Sequence, residues 1–329
     1  MKSRQLTSAE LDRYSRQILL SQVGVAGQRK LTESSALVVG AGGLGSTVLG
    51  FLAAAGVGRL GIVDGDRVEL SNLNRVVLHT TAAVGRPKVE SAREAVVALN
   101  PGCDVKVIGR RLTGKTVRRT VRGWDVVLDC TDNFPTRFIV SDACWLENVP
   151  LVTAGVLGLE GQMFTVIPGK GSPCYRCLVP DPPSDRFVAA CGQAGVLGPA
   201  VGVMATLQAV EAVKVLLGIG YGFEQRLVVY DAFKGRFRVM DRVADPACAL
   251  CGPRATITDV VEHRVTCCLG GTCGPDGFCT PVESPLKPKR NSRGGQSCPP
   301  RGGQDCPPRE SRSATEPEAL RRKRGRKGR

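Results

Sequence analysis

Short, largely apolar runs alternate with helical patterns along the first half of the chain. Runs of about four such residues, bounded by glycine or charged residues, predict buried strands. These strands are predicted at Ala36–Val39, Leu60–Val63, Val105–Ile108 and Asp125–Leu128. Helical patterns lie between them, and the one at Lys88–Leu99 stops at Asn100-Pro101. The alternation predicts an α/β fold with a doubly wound, Rossmann-like, mostly parallel sheet.

Helices and a second group of strands flank this predicted core. The opening segment Leu6–Gln28 is predicted to be helical, with Ser8 as its N-cap. Strands predicted at Gln162–Ile167 and Arg226–Tyr230 enclose a helix at Ala200–Leu217, so the second half is predicted to hold a mixed sheet. The stripe of this helix predicted to face the core is Leu207, Val210, Val213 and Leu217.

Regular patterning stops after Gly252, and this divides the chain into residues 1–252 and a low-complexity tail, 253–329. Residues 252–329 hold ten of the 21 prolines and carry 16 basic against 8 acidic side chains, so the tail is predicted to be disordered. The formal net charge of +15 therefore overstates how basic the globular part is. A nucleic-acid enzyme is not indicated, and the terminal basic run is interpreted as a solvated tail.

Membrane and secreted classes are disfavoured by two segments. Met1–Gln22 is charged and polar, without the apolar stretch of a signal sequence. The uncharged run Gly192–Val210 is broken by Pro199 and followed by charged residues, which favours a buried helix over a membrane span. We therefore expect a cytoplasmic protein whose 14 cysteines stay reduced. Only His79 and His263 are histidines, so a site that needs several imidazoles is excluded, and His79 is expected to form local contacts.

The run Gly40-Ala-Gly-Gly-Leu-Gly45 follows a predicted strand and opens a predicted helix, the context of a nucleotide-binding loop. Gly40 permits the tight turn, Gly42 lets backbone approach a phosphate, and Gly45 allows close packing of helix and strand. The helix N-terminus then offers free N–H groups to an anion. Asp64, at the end of the next strand, is placed to accept hydrogen bonds from ribose hydroxyls. The pattern predicts an adenine nucleotide but leaves NAD and ATP both open.

Charged residues beyond the second strand favour ATP. The segment 66–75 is rich in charged and amide side chains, Gly85-Arg-Pro-Lys88 adds two cations, and Asp132 follows the fourth strand. A triphosphate with about four negative charges needs cations and Mg²⁺ to offset it, whereas hydride transfer does not.

Two Cys-x-x-Cys pairs lie far apart in the chain. They are Cys174/Cys177 and Cys248/Cys251, with 70 residues between them. Four thiolates suit a closed tetrahedral Zn²⁺ site, which would be structural because it leaves no open position. A disulfide or redox pair is the alternative.

Taken together, these motifs resemble the MoeB/ThiF/HesA family of adenylating enzymes, bacterial relatives of ubiquitin-activating enzymes, and most closely the MoeB type. The resemblance covers about Ser8 to Gly252. Besides the glycine loop and the cysteine pairs, it is carried by Arg13-Tyr-Ser-Arg-Gln17, Asp64-Gly-Asp66, Ser71-Asn-Leu-Asn-Arg75 and Cys130-Thr-Asp-Asn133. It implies ATP-dependent adenylation of the C-terminal Gly-Gly carboxylate of a small ubiquitin-like sulfur carrier, in molybdopterin or thiamine biosynthesis.

The resemblance also assigns roles to residues of this sequence. Nucleotide contacts are implied for Gly40, Gly42, Gly43, Gly45 and Asp64, and phosphate contacts for Asn72, Arg75 and Lys88. Asp132 would position Mg²⁺, and Arg16 would reach the triphosphate of the partner subunit in a homodimer. Cys191 falls where relatives carry a cysteine able to form a thioester or acyl-persulfide, although a buried structural thiol is an equal alternative. The zinc ligand set of the two cysteine pairs is implied as well.

Partners and competing functions complete the expectations. The tail is too short and too simple for the rhodanese-like domain of some relatives, so the sulfur donor would be a separate protein such as a cysteine desulfurase or rhodanese. The alternatives are an NAD-dependent Rossmann oxidoreductase, a tRNA-base dehydratase of the same superfamily, and a non-catalytic zinc module that binds nucleic acid.

Overall fold

The computed structural model describes residues 4–169, 171–182, 195–220 and 222–262. In that part of the chain one sheet of eight strands runs in the order β3-β2-β1-β4-β5-β6-β7-β8. The strands are β1 Ser35–Val39, β2 Arg59–Val63, β3 Asp104–Ile108, β4 Val126–Asp129, β5 Leu151–Leu157, β6 Glu160–Val166, β7 Arg226–Asp231 and β8 Arg236–Asp241. The first five are parallel, and β6, β7 and β8 add antiparallel ladders. The predicted mixed α/β class is confirmed.

Helices cover both faces of this sheet. They are α1 Ser8–Arg13, α2 Ser15–Ile18, α3 Gly24–Glu33, α4 Gly43–Ala54, α5 Lys88–Leu99, α6 Gly114–Val121, α7 Phe134–Leu146, α8 Tyr175–Leu178 and α9 Gly198–Leu217. One buried cluster joins α4, α5 and α9 to the sheet, and a second joins α6 and α7 to its other face. β1 contributes Val38 to the first cluster and Leu37 to the second, which explains its continuous apolar run.

The N-terminal segment differs from its prediction. Leu6–Gln28 is not one helix, because Tyr14 leaves helical geometry between α1 and α2, and Gly24 adopts a positive φ of 57° at the start of α3. Thr7, not Ser8, caps α1: its hydroxyl accepts from the Glu10 N–H at 3.2 Å, and the Glu10 carboxylate accepts from the Thr7 N–H at 2.9 Å. This reciprocal capping box satisfies two N–H groups at the helix start.

The predicted core stripe of α9 is partly wrong. Leu217 is buried and Leu207 and Val213 pack against the core, but Val210 is 51% exposed. Small residues such as Ala205, Ala209 and Ala212 bury the face that lies on the sheet, since they permit close packing. Within the described residues α9 is the one helix long and apolar enough to cross a membrane by composition, and 56% of its most apolar 18-residue window is buried inside the protein.

Five elements have no counterpart in the prediction: β5, β8, α6, α7 and α8. Every residue of β8 is exposed, so burial imposes little hydrophobic pattern on this edge strand. Beyond the predicted domain boundary at Gly252, the chain still contacts the globular part. Ile257 and Val260 pack against the second cluster, and Asp259 forms an ion pair with Arg118 at 3.0 Å.

Candidate nucleotide site and cysteine cluster

The glycine loop connects β1 to α4 in a conformation that a side chain would block at two positions. Gly40 has a φ of 97°, and a Cβ there would lie 2.7 Å from the Cys130 carbonyl oxygen. A Cβ on Gly45 would lie 1.8 Å from the Gly40 oxygen. At Gly42 a Cβ would meet no atom within 4 Å, so backbone is open on that side. The loop therefore leaves the N–H groups at the start of α4 available to an anion.

Both backbone polar groups of Ala41, inside this loop, form hydrogen bonds to side chains. Its N–H donates to Asp64 Oδ2 at 2.8 Å, and its carbonyl oxygen lies 3.2 Å from His79 Nε2. His79 Nδ1 lies 2.9 Å from the Ser91 hydroxyl on α5. Because a carbonyl only accepts, Nε2 carries the proton and Nδ1 accepts from Ser91. Burial lowers the pKa of His79, which favours this neutral form.

Asp64 is thus already engaged with the protein. Its second oxygen accepts from the Asp66 N–H at 2.8 Å, and burial raises the pKa of the Asp64 carboxyl. Each carboxylate oxygen retains a further lone pair, so hydrogen bonds to a ribose remain possible. Sequence patterns predicted only local contacts for His79, whereas the structure shows that it contacts Ala41 in the glycine loop, 38 residues away.

Three cationic side chains lie near the loop or near Asp66, which follows the second strand: Lys88, Arg111 and Arg75. Lys88 Nζ, at the start of α5, lies 3.1 Å from Asp66 Oδ2, and Arg111 pairs with the other oxygen at 3.1 Å. Burial raises the pKa of Asp66, but Lys88 and Arg111 outweigh it and the net shift is downward. Arg75 extends over the loop: a Cβ on Gly43 would lie 3.5 Å from Arg75 Cγ.

Asn72 lies under the segment that carries Arg75. It is buried, and its Oδ1 accepts from the Glu69 N–H at 3.3 Å, which fixes the turn. Arg75 Nη1 donates to the Ser71 carbonyl oxygen at 3.1 Å and to Asn74 Oδ1 at 3.0 Å. The Asn72 side chain therefore has a structural contact here. The Arg75 guanidinium is oriented by hydrogen bonds to neighbouring residues of the same turn.

A buried polar network supports the loop after β4, and sequence reasoning missed it. Asp129 is fully buried and accepts from the hydroxyls of Thr131 and Thr153 at 2.6 and 2.7 Å. Arg137 Nε lies 3.1 Å from Asp129 Oδ2, and Gln208 donates to the Asp129 carbonyl oxygen at 2.8 Å. The one sequence feature that could have indicated this network is Asp129, an acidic residue at the end of an apolar strand.

Asp132 follows this network in an exposed position, at the carboxyl end of β4 next to β1. Asn133, not Asp132, caps α7 by accepting from the Thr136 N–H at 3.0 Å. The Asp132 carboxylate is therefore not needed for capping. The structure places the loop, Asp64, Arg75, Lys88 and Asp132 at the same edge of the sheet.

Arg16 lies elsewhere. It is exposed on α2, and its neighbour Gln17 donates to the Ala55 carbonyl oxygen at 3.0 Å, at the far end of α4. A helix of 12 residues is about 18 Å long, so Arg16 is separated from the glycine loop of its own chain. Cys191 falls outside the described residues, and its role stays a prediction.

The two cysteine pairs meet in one cluster. Cys174 Sγ lies 3.8 Å from Cys177 Sγ and 3.5 Å from Cys248 Sγ, and Cys177 Sγ lies 3.2 Å from Cys251 Sγ. All four sulfur atoms lie within 4.8 Å of one another, and none is in a disulfide. A tetrahedral ion with Zn–S bonds of about 2.3 Å requires sulfurs about 3.8 Å apart. The donor set and its spacing fit Zn²⁺.

Hydrogen bonds from neighbouring residues hold the cysteine cluster in place. Arg176, inside the first pair, forms a buried two-pronged bond with Asp142 of α7, at 2.8 Å for each nitrogen. The Asp245 N–H donates to Cys177 Sγ at 3.4 Å. Burial and the neighbouring thiolates raise the pKa of Cys174, and burial raises the pKa of Cys251 to about 12. A bound cation would reverse this penalty, because it stabilises thiolates.

Comparisons with known proteins agree with these features. The ThiF family profile matches residues 14–250. The chain is 44% identical over 268 residues to "Adenylyltransferase and sulfurtransferase MOCS3" of Drosophila yakuba, covering 81% of this chain and 59% of that protein. It is 45% identical over 267 residues to "Sulfur carrier protein adenylyltransferase" of Thermus thermophilus, covering 80% and 98%. The chain thus spans about three-fifths of the MOCS3 relatives and nearly all of the Thermus protein.

Solved structures support the fold. The crystal structure of Escherichia coli MccB matches with a TM-score of 0.68 and 23% identity, over 78% of this chain and 75% of that one. Another match is the microcin C7 biosynthetic enzyme MccB in complex with N-formylated MccA, with a TM-score of 0.67 and 22% identity, covering 75% and 77%.

Proposed function

The chain belongs to the ThiF family, and from this premise we propose that it adenylates the C-terminal Gly-Gly carboxylate of a ubiquitin-like sulfur carrier of the MoaD/ThiS type. The observation that carries the proposal is the convergence of the glycine loop, Asp64, Arg75 and Lys88 at one sheet edge. It occurs in a chain 45% identical over 267 residues to a named sulfur carrier protein adenylyltransferase. Thiocarboxylate formation for molybdopterin or thiamine biosynthesis would follow.

The reaction joins two anions. A carboxylate oxygen of the carrier attacks the α-phosphorus of ATP, the bond to the bridging oxygen breaks, and an acyl-adenylate and pyrophosphate are formed. No proton has to be removed from the nucleophile, so the main demands are positioning and neutralisation of charge. This agrees with a site that holds one histidine, His79, in a structural contact with the loop.

Different residues of the site would position the nucleotide and neutralise its phosphate charge. The N–H groups at the start of α4 would face the phosphates, while Asp64 would accept from the ribose. Lys88 uses one of its three donors on Asp66, so two remain for phosphate oxygens. Arg75 would bind phosphate from above Gly43, and Asn72 would contribute its amide. Asp132 would hold Mg²⁺, which offsets phosphate charge when bound.

A homodimer would complete the site, with Arg16 donated by the partner subunit. Two observations support this part of the proposal. Arg16 is remote from its own loop, and the apolar residues that follow it, Leu19 and Leu20, are 77% and 55% exposed. An arginine followed closely by exposed leucines is typical of a surface that a partner covers.

Zinc, the sulfur donor and the location of the protein are further parts of the proposal. Cys174, Cys177, Cys248 and Cys251 would hold Zn²⁺, which would link segments 70 residues apart. The sulfur donor would be a separate desulfurase or rhodanese, and the protein would be cytoplasmic. Cys191 would be either the residue that forms a thioester or acyl-persulfide, or a buried thiol.

The test is carrier-dependent exchange of labelled pyrophosphate into ATP, with Asp132→Ala as the variant. We expect exchange to fall by at least about 100-fold, because the variant loses the carboxylate that would position the metal. Asp104→Ala is the matched control: this exposed carboxylate lies at the amino end of β3, away from the site, and should exchange as wild type does.

Two results would contradict the proposal. Wild-type protein that never returns label to ATP with any candidate Gly-Gly carrier is not an adenylating enzyme of this class. Thermal stabilisation by NAD and not by ATP would favour the oxidoreductase alternative instead. Wild-type exchange in Asp132→Ala would remove only that residue from the site.

A further inference from the structure

A buried arginine that has no acidic partner among the described residues lies beside the cysteine cluster. Arg242 directly follows β8 and is 7% exposed. Its Nη2 donates to the carbonyl oxygens of Pro173 and Cys174 at 2.9 and 3.0 Å, and its guanidinium carbon lies 3.7 Å from the centre of the Phe164 ring. Its other two nitrogens, Nε and Nη1, are buried and have no hydrogen-bond partner in the described part of the chain.

The other buried arginines are paired differently. Among the described residues, Arg137 and Arg176 are also buried, and each forms an ion pair with an aspartate, Asp129 and Asp142 respectively. Within the described part of the chain, Arg242 contacts only carbonyl oxygens and an aromatic ring, which carry partial charges. Burial of a cation without a full opposing charge is strongly unfavourable, so an anion close to Arg242 is required by the electrostatics.

The cysteine cluster can supply that anion. Arg242 Nη2 donates to the carbonyl oxygen of Cys174 at 3.0 Å, so the guanidinium lies next to one of the four cysteines of the cluster. Zn²⁺ bound by four thiolates carries a net charge of −2. A metal–thiolate centre of this kind needs a nearby cation, and the Arg176–Asp142 pair, which is neutral overall, does not provide one.

We propose that Arg242 is the counter-charge of the metal–thiolate centre, a positioning residue that makes binding of the ion and docking of the β8 end depend on each other. This inference rests on the proposed zinc site and not on the adenylation reaction. It gives a role to a buried guanidinium whose Nε and Nη1 have no hydrogen-bond partner in the described part of the chain.

The proposal predicts opposite effects of one substitution in two states. With Zn²⁺ bound, removing the guanidinium leaves a dianionic centre without its cation and should weaken metal binding. Without Zn²⁺, wild type holds a buried cation with no full opposing charge, so removing it should relieve a penalty. A residue that only packs would destabilise both states.

The experiment uses the full chain with Arg242→Met, which keeps an unbranched apolar stem, and Arg242→Lys, which keeps the charge. Zn²⁺ affinity is measured by competition with a chromophoric chelator, and melting temperatures are measured on zinc-loaded and zinc-stripped protein. Arg238→Met is the control, since Arg238 is an exposed arginine on β8.

We expect Arg242→Met to bind Zn²⁺ about 10- to 100-fold more weakly, as is usual when a group supporting a metal site is removed. Zinc-loaded Arg242→Met should melt below zinc-loaded wild type, and the stripped variant should melt at or above stripped wild type. Arg242→Lys should retain most of the affinity, and Arg238→Met should match wild type in every measurement.

Three results would overturn the inference. Unchanged Zn²⁺ affinity in Arg242→Met would show that the charge is not needed. Equal losses in Arg242→Lys and Arg242→Met would assign the effect to the carbonyl hydrogen bonds. A stripped Arg242→Met that melts well below stripped wild type would make Arg242 an ordinary packing residue. Wild-type protein that binds no Zn²⁺ would refute the zinc proposal itself, while pyrophosphate exchange would still test adenylation separately.

Discussion

Individual residues of the candidate nucleotide site are held by partners that local sequence patterns do not reveal. The Ala41 peptide is held by Asp64 on one side and His79 on the other, and His79 is in turn held by Ser91. The motif predicted Asp64 because acidic residues at strand ends have a known relation to ribose. It did not predict His79, which is 38 residues from Ala41 and becomes its neighbour only on folding.

Replacement of His79 is predicted to affect nucleotide binding more than turnover. His79→Leu removes the donor to Ala41 and leaves the Ser91 hydroxyl without its acceptor. We expect the KM for ATP in pyrophosphate exchange to rise about tenfold, the effect of losing hydrogen bonds worth about 1–2 kcal/mol, with kcat changed less. The KM of His79→Gln, whose amide can still donate a hydrogen bond, should lie between those of wild type and His79→Leu. An unchanged KM in His79→Leu would show that the loop holds its position without this ring.

At the scale of elements, the start of α4 shows how a glycine determines geometry. Gly45 and Gly50 both lie in this helix, but a Cβ would clash with the Gly40 oxygen at Gly45 and meets nothing within 4 Å at Gly50. Alanine favours helix over glycine wherever space permits, because glycine loses more backbone entropy. The two positions therefore respond to alanine in opposite directions.

We predict that Gly45→Ala destabilises the protein by at least about 2 kcal/mol, since the loop and helix must separate. Gly50→Ala should stabilise it by about 0.5–1 kcal/mol. Denaturant unfolding of both variants measures the difference, and ATP binding should be weakened in Gly45→Ala alone. Equal stabilities for the two variants would mean that the loop adapts without cost.

Some elements follow from local patterns and others do not. Lys88–Leu99 is a helix at the predicted bounds, because its periodicity and the Asn100-Pro101 stop are local signals. The missed strand β8 is exposed along its length, so it shows no alternation of buried and exposed residues. Thr7 displaces Ser8 as the cap of α1 because only its hydroxyl is paired reciprocally with Glu10. Thr7 and Ser8 are both hydroxyl residues that favour an N-cap, so the sequence alone does not distinguish them.

At the scale of the whole molecule, the end of the globular part depends on long-range contacts. Ile257 and Val260 pack against the second buried cluster, and the Thr256 N–H donates to the Ala249 carbonyl oxygen at 2.9 Å. A protein truncated at the predicted boundary, Gly252, would lose these contacts together with the tail. Residues beyond 262 lie outside the described part, and the predicted disorder of the tail stays a prediction.

Two truncations separate these possibilities. Deletion of residues 263–329 is predicted to leave both melting temperature and carrier-dependent exchange unchanged. Deletion of residues 253–329 should lower stability by roughly 1–3 kcal/mol, because it exposes the apolar surface that Ile257 and Val260 cover. Differential scanning calorimetry on both proteins gives the comparison. Identical melting curves would place the boundary at Gly252 as the composition predicts.

The sequence by itself determined the features whose causes are local: the α/β alternation, the glycine loop, the helix before Asn100, and the pairing of thiols within each Cys-x-x-Cys. Only the tertiary structure decided which distant groups meet. It buried Asp129 against Arg137, turned Val210 toward solvent, and placed Arg242 beside the cysteine cluster. The physical reason is that a buried charge or hydrogen bond gains its energy from partners on other segments, and those partners are neighbours only after the sheet has formed.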